Sequence, residues 1–133
     1  MIKIRPARQQ DRTAIKRLLI DLDLYYSALI MEDFWVAEKD GKIVGAVQFK
    51  EYDKFFFLGS LAVLPGARDR GIASSLVKKL IAKVNKPVYL YTIIPDFFKR
   101  FGFKETAATA ELPSKDQYEC EACHSEKCVC MVR

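Results

Sequence analysis

The sequence predicts a mixed α/β domain, a mostly antiparallel central sheet with helices on both faces, spanning residues 1–133 as one unit. Three observations lead there. Two strand-like runs, 34–38 and 43–51, flank Asp40 and Gly41, a dipeptide that favours a tight hairpin turn. An apolar strand end, Leu61, Ala62, Val63 and Leu64, runs through Pro65 and Gly66 and a basic loop straight into a helix. Beyond that helix, a strand, a short helix and another strand follow between Val88 and Phe103.

Taken in order, Ile2 and Ile4 alternate with Lys3 and Arg5, the period of a short strand with one buried face. Asp11 can cap a helix whose apolar positions Ala14, Ile15, Leu18, Leu19 and Leu22 recur at helical spacing. Residues 24–31, with Tyr25 and Tyr26, suit a second short helix or a loop. After the hairpin, a turn at Tyr52 and Asp53 leads to a third antiparallel strand from about residue 54 or 55 to Leu64. The helix after the basic loop carries Ile72, Leu76 and Leu80, with Val77, Ile81 and Val84 offset by one, on its apolar face, and Lys86 and Pro87 end it. Residues 88–92 form a strand. Pro95 opens a helix over 96–101, Gly102 ends it in a left-handed turn, and Phe103 begins the next strand. Residues 126–133 fit a final strand, with Cys128 and Cys130 on one face.

The junction at 61–76 carries the chemistry. A strand feeding a helix through small and basic residues presents unpaired amide N–H groups at the positive end of the helix dipole, which favours a bound anion. Gly71 and Ala73 let a pyrophosphate approach the backbone, and Arg68 and Arg70, either side of Asp69, add positive charge. The loop fits neither the dinucleotide G-x-G-x-x-G pattern nor the nucleoside-triphosphatase loop with its terminal Gly-Lys-Ser/Thr.

Length and composition set the outer bounds. A chain of 133 residues, 50% hydrophobic, buries an adequate core alone. No stretch approaches the ~18–20 apolar residues of a membrane span, and the first residues carry no apolar signal core, so no membrane partner and a cytoplasmic location are expected. The net charge of +5 suits an anionic ligand and would also suit nucleic acid. Lys78, Lys79, Lys83 and Lys86, however, fall on the outer face of the helix, so nucleic acid is the less favoured partner.

Two motifs, about 30 residues apart and in order, carry a family resemblance. Arg68, Gly71 and Ala73 form R-x-x-G-x-A, which resembles the acetyl-coenzyme A loop of the GNAT acetyltransferases: Arg or Gln, two residues, Gly, one residue, Gly or Ala. Phe97, Phe98, Gly102 and Phe103 resemble the family's Phe-Tyr-x-x-x-Gly-Phe segment beside the pantetheine arm. The resemblance implies a GNAT fold, acetyl-coenzyme A as cosubstrate, and direct attack of a primary amine on the thioester. It implies a sheet that splays after the fourth strand, so that Leu61, Ala62 and Val63 face pantetheine and the Val63 N–H polarises the acetyl carbonyl, a contact that can lower a barrier by ~3 kcal/mol. It implies pyrophosphate on Arg68, Asp69, Arg70, Gly71, Ile72, Ala73 and Ser74, with Phe97 and Phe98 beside the coenzyme arm.

The chain departs from the pattern at two places. Phe98 stands where a tyrosine often protonates the departing thiolate, and Phe57 where many relatives carry an acid. Glu51, with Tyr52 and Asp53, offers an alternative for proton handling. The run from Ile94 to Phe103, followed by Glu111, Leu112 and Pro113, a cysteine pair and a terminal Cys-x-Cys-Met-Val, resembles short microbial N-acetylglutamate synthases and related amino-acid acetyltransferases, over most of the chain from Phe34 onward, which implies a free amino acid, glutamate first, as the small-molecule acceptor. Its carboxylates would need cations, for which Arg5, Lys50 and Lys54 are available. A non-catalytic acetyl-coenzyme A sensor or nucleic-acid-binding module on the same fold is the alternative. A homodimer stays open.

The four cysteines lie together near the end of the chain: Cys120 and Cys123 in C-x-x-C spacing with His124 adjacent, then Cys128 and Cys130. Clustered cysteines in a cytosolic chain suggest a metal before a disulfide framework. Structural zinc, disulfides and free thiols all stay open, because Cys-x-Cys is a poorer zinc spacing than Cys-x-x-Cys.

Overall fold

The computed structural model describes residues 2–21, 30–66, 71–92, 94–107, 112 and 129–133. Seven strands form one sheet: β1 (Ile2–Pro6), β2 (Phe34–Lys39), β3 (Lys42–Glu51), β4 (Phe56–Val63), β5 (Val88–Thr92), β6 (Lys104–Thr106) and β7 (Val129–Val132). Three α-helices, α1 (Arg12–Asp21), α2 (Ile72–Ile81) and α3 (Pro95–Lys99), accompany them. The strand order is β1-β2-β3-β4-β5-β7-β6. Among the described residues only β4 and β5 run parallel, so the sheet is mixed and mostly antiparallel, as the sequence predicts.

The hairpin between β2 and β3 turns at Asp40 and Gly41, with φ of 52° and 78°. Two consecutive positive φ angles are what a two-residue hairpin of the mirror-image type requires. Two hydrophobic layers follow from strand alternation. On one face Ile15, Leu18 and Leu19 of α1 pack with Phe34, Val36, Ala46 and Ala62. On the other face Ile72, Leu76, Val77, Leu80 and Ile81 of α2, joined by Phe98 of α3 and by Phe103, pack with Val47, Leu58, Val63 and Leu90.

Several local expectations need correction. The second helix stops at Ile81 with Ala82 as its C-cap, well short of Lys86 and Pro87. Val84 therefore packs against the core from a loop, not from the helix face. α3 stops at Lys99 rather than at residue 101, although Gly102 does adopt a left-handed φ of 89°. Asp11 does not cap α1 at its N-terminus in the ordinary way. It closes a 3-10 turn, Gln9–Asp11, where its carboxylate accepts the Arg8 N–H at 2.8 Å and binds the Arg5 guanidinium in a fork at 2.7 and 3.1 Å. Ala14 is exposed, and Leu22 lies outside the described residues, as do Tyr25 and Tyr26. The final strand is described over Val129–Val132, residues 126–128 of the expected range lie outside the described residues, and the strand enters the sheet between β5 and β6.

Candidate functional site

Three features of β4 converge at its C-terminal end. The first is the end of its ladder with β5. The parallel pairs run Phe56 to Val88, Phe57 to Tyr89 and Leu58 to Leu90, and β4 then continues to Val63. The second is a bulge. Gln48 of β3 faces Gly59, and Ala46 faces Ala62, so Ser60 and Leu61 of β4 together stand against Val47 alone. Such an extra residue increases local twist and re-aims backbone groups. The third is the seat of α2. Val63 pairs with Gly45, and a Cβ on Gly45 would meet Ile72 Cγ2 at 3.1 Å and Leu76 Cδ1 at 3.3 Å. A bare glycine therefore lets the first turn of α2 sit directly over the strand end.

Gly71 caps that helix in the left-handed conformation, φ 69° and ψ 23°, and its carbonyl accepts the first helical bond from the Ser75 N–H at 2.9 Å. A Cβ added at Gly71 would meet nothing within 4 Å among the described residues. No acidic residue stands in the first turn of α2. The amide groups of the first turn of a helix have no partners within it and carry the positive end of the dipole. An anion is favoured there.

The expected site residues thus divide. Leu61, Ala62 and Val63 lie on the bulged end of β4, and Gly71, Ile72, Ala73 and Ser74 form the start of α2 that Gly45 seats against it. Arg68, Asp69 and Arg70 lie outside the described residues. Phe97 is half-buried and Phe98 is buried. The Phe98 ring meets Phe97 edge-on at 4.9 Å and Phe103 at 5.7 Å, deep in the α2-side core. Phe57 is likewise core, buried with Phe55, Leu112 and Cys130 and edge-on to Tyr91 at 5.1 Å.

Glu51 is in the wrong place for the role considered for it. It pairs with Phe56, at the opposite end of the eight-residue β4 from Val63. At about 3.3 Å per residue this separates them by roughly 23 Å. Its carboxylate is 62% exposed and binds Lys86 Nζ at 2.7 Å. Arg5 is not available to an acceptor either. Asp11 and Glu38 hold its guanidinium, the latter at 2.8 Å, and these hydrogen bonds raise its pKa further above the ordinary arginine range.

The cysteine cluster is outside the described residues except for Cys130, which is buried among Phe55, Phe57 and Leu112. Among the described residues no group of three or more His, Cys, Asp or Glu side chains could hold a metal ion. Zinc therefore has no support from the described part of the chain. No helix among the described residues is long and apolar enough to cross a membrane.

The bulge, Gly45 and the Asp33–Gln48 neighbourhood were missed in the sequence. Only Gly45 leaves a trace there, as a glycine inside an otherwise apolar strand, which signals close backbone approach or a bulge.

Residues 31–105 match the acetyltransferase (GNAT) domain. The chain belongs to the GNAT acetyltransferase family. An uncharacterized N-acetyltransferase of Chlorobaculum tepidum is 32% identical over 134 residues, covering 90% of this chain and 86% of the relative. This GNAT chain is thus an enzyme of the N-acetyltransferase class. Among solved structures, N-acetylglutamate synthase from Neisseria gonorrhoeae, complexed with coenzyme A and N-acetyl-glutamate, superposes with a TM-score of 0.80 at 22% identity over 100% of this chain. This chain spans 35% of that longer protein. A Mycobacterium tuberculosis protein in complex with coenzyme A superposes with a TM-score of 0.76 at 23% identity, covering 98% of this chain and 97% of the other. At those identities the likeness is one of fold.

Proposed function

We propose that this chain transfers the acetyl group of acetyl-coenzyme A to the primary amine of a small acceptor, an α-amino acid with glutamate as first candidate. The observation that carries the reading is the bulged end of β4, just beyond its last pair with β5, with the start of α2 seated over it by Gly45. In this reading pantetheine runs along the backbone of Leu61, Ala62 and Val63, and pyrophosphate rests on the helix start at Gly71, Ile72, Ala73 and Ser74 with the loop residues Arg68, Asp69 and Arg70. The Val63 N–H is the proposed donor to the acetyl oxygen, where charge grows as the reaction proceeds.

The acceptor first loses a proton to water to become a neutral amine; its nitrogen attacks the carbonyl carbon, the carbon–sulfur bond breaks, the nitrogen gives up a second proton to water, and the coenzyme leaves as its thiolate. Phe98 has no proton to give that thiolate, so water is the proposed carrier. The amino-acid acceptor is supported by the fold shared with the gonococcal enzyme and its bound N-acetyl-glutamate. Membership of an enzyme family favours this reading over a non-catalytic sensor. A cytoplasmic setting, where acetyl-coenzyme A is made and used, fits the same picture. Zinc on Cys120, Cys123, Cys128 and Cys130 is decided by metal analysis of the purified chain: one zinc per chain would establish it.

Release of coenzyme A thiol, followed against a panel of amino acids, polyamines and peptide N-termini, tests the reading. Acceptor-dependent release with a free amino acid is expected. Tight coenzyme binding with no acceptor-dependent release would refute it.

A further inference from the structure

The proposed reaction needs a place for the acceptor, and the start of β2 and the β3 strand beside the bulge hold buried polar groups without partners. Two buried side-chain oxygens, Asp33 Oδ2 and Gln48 Oε1, have no hydrogen-bond partner. Gln48 is only 6% exposed. Buried acceptor atoms are nearly always satisfied, because leaving one unpaired forfeits its hydration without return. Two of them close together in the fold therefore ask for a donor.

Topology brings them together. Asp33 closes the 3-10 turn Met31–Asp33, directly before Phe34, and Phe34 pairs with Gln48 across β2 and β3. Gln48 alternates with Val47 and Phe49, which belong to the α2-side core, so it shares the α1 side with Ala46. Its partner on β4 is Gly59, the residue after the last β4–β5 pair and the one before the bulge. Gly59 presents no side chain opposite Gln48.

Lys50 follows two residues on, on the same face, with its ammonium 5.4 Å from the centre of the Tyr52 ring. Its charge is felt at Asp33, where it favours the carboxylate; burial acts the other way and more strongly, and Glu32 adds to it, so the Asp33 pKa lies above the ordinary value. A carboxylate held in a dry site gains from a cation that can also donate hydrogen bonds, which an amine in its protonated form is.

We propose that Asp33 and Gln48 receive the amino group of an α-amino acid acceptor and that Lys50 receives its carboxylate. This rests on the acetyl-transfer reading above and assigns its acceptor side. Two acceptor oxygens match the N–H groups of the amine, and one cation matches the acid, so the trio complements the α-carbon substituents shared by every free amino acid. Polyamines lack the carboxylate and peptide N-termini carry an amide in its place.

The test compares Asp33→Asn, Gln48→Met and Lys50→Met in the full chain. Each is close to the original in volume. For the best amino acid of the panel, Asp33→Asn and Gln48→Met should each lower kcat/KM for the acceptor at least tenfold, while KM for acetyl-coenzyme A stays within twofold. Lys50→Met should lower kcat/KM for the amino acid but leave it unchanged for the corresponding α-amide. Gln48→Met should also raise the thermal midpoint of the unliganded chain, since it removes an unsatisfied buried polar group. Acceptor kinetics within twofold of the parent in the Asp33 and Gln48 variants would overturn the proposal, as would a lower midpoint in Gln48→Met, which would mean that the amide is satisfied within the fold. The parent's own acceptor-dependent thiol release reports on acetyl transfer separately, and the thermal comparison stands whatever that result.

Discussion

Gly71 does two things that no other residue type does at once. It turns the chain through a left-handed φ of 69° and places no Cβ beside the start of α2. A residue with a Cβ costs about 1–2 kcal/mol in that conformation, and asparagine tolerates it best. Gly71→Asn should therefore lower coenzyme affinity modestly, whereas Gly71→Glu should abolish measurable binding by placing negative charge at the positive helix end. Calorimetric titration with coenzyme A checks both, and equal affinity in parent and Gly71→Glu would mean that no anion sits there. Asp11 governs a second residue-scale property. Its hydrogen bonds to Arg5 hold its pKa below the ordinary carboxylate range. A depressed folded-state value stabilises the fold above pH ~4 and loses that stabilisation as pH falls toward the folded value. Asp11→Asn should make the chain less stable at pH 7 and flatten the loss of stability between about pH 5 and pH 2, as urea midpoints across that range would show.

At the scale of elements, the meeting of β3, β4 and α2 decides whether a donor site exists. The sequence announces the strand-to-helix junction through Pro65, Gly66 and the basic loop, but not the register that brings Val63 opposite Gly45. Gly45→Ala would press a methyl against Ile72 and Leu76, at 3.1 and 3.3 Å. Overpacking of this sort costs about 1–3 kcal/mol. We expect the variant to fold with a lowered urea midpoint and a several-fold higher KM for acetyl-coenzyme A, since the helix start must move off the strand end. The elements whose periodicity is strong, β2, β3, α2 and β5, were legible from residue pattern alone. Helix ends were not: apolar Val84 continued the helical spacing, yet the chain leaves the helix after Ile81 and Val84 reaches the core from a loop. Asp11 was misread for a similar reason, because the cap pattern is local while its partner Arg5 comes from the edge strand.

At the scale of the molecule, the sheet depends on a strand far along the chain. β7 lies between β5 and β6, pairing Tyr89 with Val132 on one side and Lys104 with Val132 on the other. The Arg133 backbone exchanges hydrogen bonds with Val88 at 2.9 and 3.1 Å, and its side chain donates to the Phe101 carbonyl at 2.7 Å. Ending the chain after Lys127 would expose the ladder edge of β5, an invitation to edge-to-edge pairing. Such a truncation should be recovered mainly in the insoluble fraction, and a monodisperse, cooperatively melting product would contradict this. β7 also explains why Cys130 is core rather than a surface thiol: its register opposite Tyr91 and Thr106 carries it into the cluster around Phe57.

By itself the sequence determined the element order, the hairpin, the strand-to-helix junction with its small residues, and through two motifs the family. These are local matters, set by side-chain period, turn chemistry and conformational freedom within a few residues. Only the tertiary structure decided that β4 bulges at Ser60 and Leu61, that Glu51 stands at the far end of β4 from Val63, that Arg5 is spent on Asp11 and Glu38, and that Asp33 comes next to the Phe34–Gln48 pair with a buried, unpartnered oxygen. These depend on register or on contacts between separate elements, which local side-chain period does not set; a one-residue slip of a strand would carry its side chains to the other face.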